Sequence, residues 1–120
     1  MKNISGSFKL VVCLFLVMST LLQACTSKDK ITESNFVGKW KSSKLETPVY
    51  LYPNGEWEIK QDNGSVLQYG VWEYKDKNII WSFKTDRGVL RDVNPVVSIS
   101  PKEFKLTELD KSTTIFTKLD

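Results

Sequence analysis

The stretch Gly70-Val71-Trp72-Glu73-Tyr74-Lys75-Asp76-Lys77-Asn78-Ile79-Ile80-Trp81-Ser82-Phe83-Lys84-Thr85 decides how this chain folds. Ile79, Trp81 and Phe83 alternate with Ser82 and Lys84. A period of two puts apolar groups on one face of an extended strand and wet groups on the other. The polar break at Lys75-Asp76-Lys77 turns the chain between two such runs, so the segment predicts a β-hairpin.

The same reading extends along the chain from Phe36. Trp57 and Ile59 alternate with Glu56, Glu58 and Lys60, Phe104 and Leu106 with Lys105 and Thr107, and Ile115 with Thr114. Further turn signals fall at Pro53-Asn54-Gly55, Asp62-Asn63-Gly64, Asp86-Arg87-Gly88, Asn94-Pro95, Pro101-Lys102 and Asp110-Lys111-Ser112. Strands are expected over 38–43, 49–52, 56–61, 66–74, 78–85, 89–93, 96–100, 103–109 and 113–119. Only Thr32-Glu33-Ser34-Asn35 can form a helical turn before them. The fold class is all-β: an antiparallel meander of eight or nine short strands. An open sheet of that length has two exposed edges, so closure into a small barrel is the economical arrangement.

The N-terminal third carries a different message. The apolar run Leu10–Leu22 is shorter than the roughly 18 residues a spanning helix needs, and Lys2 and Lys9 precede it. A basic start, a short apolar stretch and small Ala24 describe a secretory signal. Leu22-Gln23-Ala24-Cys25 then resembles the lipobox of bacterial lipoproteins. That resemblance implies cleavage after residue 24, acyl chains on Cys25, and a membrane-anchored envelope protein. If the host is Gram-negative, Thr26 in place of an aspartate points to the outer membrane. Residues 25–35 are then the lipidated cysteine and a polar tether, and 36–120 the barrel domain. The other reading is an ordinary secreted protein with a cysteine near its cleavage site.

Loss of Lys2 and Lys9 with residues 1–24 lowers the formal net charge from +3 to +1. Acidic and basic residues are interspersed, so no nucleic-acid footprint is expected. The only cysteines are Cys13, which leaves with the signal, and Cys25. The barrel domain therefore has no thiol for a disulfide, for catalysis or for a metal, and no cofactor is expected.

Phe36-Val37-Gly38-Lys39-Trp40 resembles the Gly-x-Trp opening of lipocalin-like barrels. Tyr50 to Ile59, with its Asn54-Gly55 turn, and the hairpin quoted above are similar to successive elements of small bacterial lipocalin-like lipoproteins. The resemblance implies that Gly38 lets the chain enter the first strand tightly and that Trp40 plugs one end of the barrel. It also implies a late-strand cation stacked on Trp40. No arginine follows Arg91, so Lys118 is the nearest replacement.

Candidate chemistry is sparse. The chain has no histidine, which removes the usual general base and the commonest metal ligand. Glu56 and Glu58 share one face of a strand, whereas glycosidases place their carboxylates on opposite sides of a sugar. Arg87 and Arg91 are candidates to meet a ligand carboxylate, or to pair with Asp86 or Asp92 on the surface. Trp40, Trp57, Trp72 and Trp81, with Phe83, Phe104 and Phe116, either fill a core or line a cavity. The expectation is a non-enzymatic, membrane-tethered interaction module meeting an envelope protein or glycan. The alternative is a carrier of a small apolar ligand in a shallow cavity.

Overall fold

The computed structural model of the protein describes residues 30–119. The expected signal at 1–24, Cys25 and the first part of the tether lie outside the described residues. Thr32–Asp120 forms one compact unit.

Its eight strands are β1 (Gly38–Ser42), β2 (Val49–Leu51), β3 (Glu56–Lys60), β4 (Val66–Lys75), β5 (Asn78–Thr85), β6 (Gly88–Ser100), β7 (Glu103–Thr107) and β8 (Thr113–Leu119). Each pairs antiparallel with the next, and β8 returns to β1, so the meander closes into a barrel. The seam sets Trp40 opposite Lys118 and Ser42 opposite Phe116. Closure leaves neither edge of the sheet open to another chain.

A short 3-10 turn, Glu33–Phe36, precedes β1. The Thr32 N–H donates to Asn35 Oδ1 at 2.8 Å and the Asn35 N–H to the Thr32 carbonyl at 3.1 Å. The turn delivers Phe36 into the barrel end, where it is fully buried beside Tyr74 and Phe104, with ring centroids 5.0 and 5.2 Å away. Trp40 lies above them, edge-on to Phe104 at 4.6 Å, and its indole N–H donates to the Phe36 carbonyl at 2.9 Å. Leu51, Ile79 and Leu106 complete this plug. The chain therefore enters at the closed end. The loops at 43–48, 61–65, 86–87 and 108–112 surround the opposite end.

Several strand ends differ from the sequence reading by one or two residues, and one assignment differs in kind. The runs expected at 89–93 and 96–100 are a single strand, β6, which passes straight through Asn94-Pro95. Pro95 is tolerated because it pairs with Asn78, the first residue of β5, where that ladder ends. A bulge follows between Val96 and Ser98. A missing N–H costs little at such a point. Asn94, instead of turning the chain, is buried with its amide hydrogen-bonded. At 13 residues β6 reaches roughly 40 Å, well beyond the short strands expected, and makes one wall of the barrel tall.

The β4–β5 ladder covers only Val71–Lys75 against Asn78–Ser82. Above Gly70 the two strands splay, β4 staying with β3 and β5 with β6. Gly70 sits at the point of divergence. A Cβ there would lie 2.1 Å from the Ser82 carbonyl oxygen and 2.7 Å from Trp57 Nε1, so no other residue fits without movement.

Candidate functional site: an aromatic cavity at the open end

Inward-facing residues alternate along each strand, and their size changes from one end of the barrel to the other. Near the closed end they interlock. Near the open end, Ser42, Gln68, Asn94 and Thr114 take inward positions that larger apolar groups would have filled. A cavity of about 500 Å³ results, open between the loops that carry Leu45 and Leu109. An eight-stranded barrel has room for one small ligand when its side chains leave space.

Four aromatic rings form its walls: Trp57, Trp81, Phe83 and Phe116. Trp57 stands edge-on to Trp81 at 5.9 Å and to Phe83 at 6.1 Å. Trp81 stacks towards Phe116 at 6.2 Å, and Phe116 lies flat on Phe104 at 4.5 Å. These contacts make an unbroken series of rings from the plug to the mouth. Because each ring is braced by the next, the walls are held in place without a ligand.

A polar wall faces the rings. The Trp81 indole N–H donates to Asn94 Oδ1 at 2.8 Å. The Asn94 amide donates onward to the Thr107 carbonyl at 3.3 Å and to Glu108 Oε2 at 3.4 Å. The Thr114 hydroxyl donates to Glu108 Oε1 at 2.6 Å. Glu108 is thus fixed by two donors. Asp92, opposite Trp81 in the β5–β6 ladder, also lines the cavity, and has no hydrogen-bond or ion-pair partner among the described residues. At the rim, Asp110 accepts from the Ser112 hydroxyl at 2.6 Å and from its N–H at 3.0 Å. Those two bonds hold the Asp110 carboxyl below its ordinary pKa. The rim ammonium of Lys44 is bound to the Ser112 hydroxyl.

The tryptophan candidates divide. Trp57 and Trp81 line the cavity. Trp40 belongs to the plug, and Trp72 is buried with its N–H on the Tyr52 carbonyl at 3.1 Å; neither reaches the cavity. The arginine candidates lie elsewhere. Arg87 is in the β5–β6 turn, and Arg91 faces outward towards Glu73 on β4, 3.7 Å away, not towards Asp86 or Asp92. Glu56 and Glu58 are outside the cavity as well. Glu58 accepts from the Tyr52 hydroxyl at 2.6 Å, a bond that, with burial, raises the Tyr52 pKa. Cys25 lies outside the described residues.

Glu108 has no assigned role in the sequence reading, which places Asp92 on the surface as an arginine partner, Asn94 in a turn and Thr114 on the wet face of its strand; the structure turns all four to the cavity. A signal existed: Leu90, Asp92, Asn94 and Val96 share one parity on β6, and two polar residues on the inward parity mark a wet interior. The assumed turn at Asn94-Pro95 hid that pattern.

Among the described residues no cluster of histidine, cysteine or carboxylate side chains suits a metal ion, and no helix is long and apolar enough to cross a membrane. No protein-family model, curated protein or solved structure matches the chain.

Proposed function

We propose that the chain is a non-enzymatic, lipid-anchored envelope protein that carries a small molecule in the open half of its barrel. The observation that supports carriage is the cavity of about 500 Å³ with braced aromatic walls. A protein that needed its rings only for stability would close this space, since apolar surface left facing water forgoes the energy of burial. The support for anchoring is the run Leu22-Gln23-Ala24-Cys25. Native mass spectrometry of the full chain, released from its host membrane in non-ionic detergent, tests carriage. A retained small-molecule mass is expected, and loss of that mass in Thr114→Trp, which fills the cavity. Bare chain throughout would overturn the reading.

A second reading, an interaction module, is favoured by the outer surface of the splay. Tyr69, Val71 and Val89 are exposed there, beside a cleft of about 520 Å³. Cross-linking through position 69 in host envelopes, with no reproducible protein or glycan adduct, would remove it.

A further inference from the structure

We infer that the cavity selects an organic cation: a molecule with an apolar body and a positively charged nitrogen. The inference rests on the carrier reading and names the class of ligand. Two carboxylates, Asp92 and Glu108, face the cavity, and neither has an ion-pair partner among the described residues. The rim adds Asp110 and Lys44, whose charges oppose one another. Of the two arginines, Arg91 is directed outward to Glu73 and Arg87 lies in the β5–β6 turn. An anionic ligand such as a fatty acid would therefore meet two negative charges and no positive one inside. An uncharged ligand would leave Asp92, which has no partner among the described residues, desolvated without return.

The aromatic walls point the same way. Trp57 and Trp81 are the ring type that attracts a cation most strongly, and Asp92 lies beside Trp81 in the ladder. Carboxylates among indole rings form an environment in which a weakly hydrated ammonium is favoured over water. The Trp57 ring lines the cavity, while its indole N–H is buried against the wall at Gly70, without an acceptor among the described residues.

Benzoylcholine has both features and serves as the probe. Its neutral analogue, in which a tert-butyl carbon replaces the quaternary nitrogen, and a benzoyloxy carboxylate of the same length are the comparisons. Binding to the full chain in non-ionic detergent is read by tryptophan fluorescence, corrected against protein-free micelles. The cation is expected to bind about tenfold tighter than the neutral analogue, with no saturable binding of the anion. Asp92→Asn, which removes a carboxylate with no protein partner to disturb, should reduce that preference while leaving the neutral analogue unchanged. Glu108→Gln keeps the acceptor for Thr114 and should reduce it further. Equal binding of cation and neutral analogue, or tighter binding of the anion, would overturn the charge selection and leave carriage standing. Binding of none of the three would overturn the cation assignment, and carriage would fall with it only if native mass spectrometry also returned bare chain.

Discussion

Lys118 places its ammonium 5.2 Å from the centre of the Trp40 ring and donates to the Val37 carbonyl at 3.2 Å. One side chain from the last strand thus pins both the first strand and the turn before it. Because Lys118 is exposed, the ring contact and the hydrogen bond together contribute about 1–2 kcal/mol. Lys118→Met should lower the unfolding free energy in urea by that amount, and Lys118→Arg should preserve it. Equal stability of the Met variant and the parent would mean that the plug holds without the cation.

Gly70→Ala is expected to cost about 1–3 kcal/mol, the range for overpacking. The added methyl meets the Ser82 backbone, which cannot swing away, as well as the Trp57 ring. Chemical denaturation gives the magnitude. Near-ultraviolet circular dichroism should change as Trp57 is displaced. An unchanged spectrum with parental stability would show that the splay is wider than described.

Asn94→Leu preserves bulk but removes the acceptor for Trp81 and the donor to Thr107 and Glu108. Leaving a buried indole N–H unpaired costs about 1–3 kcal/mol. The variant should be destabilised on that scale, and its tryptophan emission should shift. No change in either would mean that the polar wall is not built around this amide.

Asp76 and Lys77 join β4 to β5 with both φ angles positive, 53° and 64°. A lysine in that region is strained, whereas glycine adopts it freely. Lys77→Gly should therefore raise the melting temperature, by an amount corresponding to about 0.5–1 kcal/mol. A fall would indicate that the lysine side chain has a stabilising role of its own.

The Asp110 carboxyl is held below its ordinary pKa by Ser112, so the folded state favours the charged form. Its contribution to stability is present above the unfolded carboxyl pKa and is lost as pH falls through the depressed folded value. Ser112→Ala should return the carboxyl towards its usual range. Carbon-detected NMR titration reads this directly, and an unmoved midpoint would assign the depression to another partner.

Much of the fold is legible in the chain because alternation is a local property. Trp57-Glu58-Ile59 or Phe104-Lys105-Leu106 declare their faces without reference to any distant residue. Closure into a barrel followed from strand number and the cost of open edges. Pro95 misled because turn chemistry is also judged locally, while its tolerance depends on where the β5 ladder stops. The Lys118 replacement beneath Trp40 came from the resemblance and is seen in the structure.

The cavity was harder to foresee. Whether an aromatic ring fills a core or lines a space depends on its height along the barrel axis, which depends on register. Trp40 and Trp81 look alike in sequence, yet one faces Phe36 and Phe104 and the other looks into open volume. Arg87 and Arg91 left two readings open, a ligand carboxylate met by one of them or a surface pair with Asp86 or Asp92. Parity on β6 sends Arg91 outward and Asp92 inward, which reverses the sign of the interior.

The seam between β1 and β8 carries a consequence for the order of assembly. Lys39 pairs with Leu119, so the barrel cannot close until the last strand has been delivered. Up to that point β1 has β2 alone, and the groups that will meet β8 are free. Contacts of such long sequence separation are the slow ones to form. Hairpins such as β4–β5 can assemble early, with closure as the final event. Loss of the last few residues would therefore do more than shorten a strand: it would leave a nearly finished sheet with two adhesive edges, a species that pairs with its own copies.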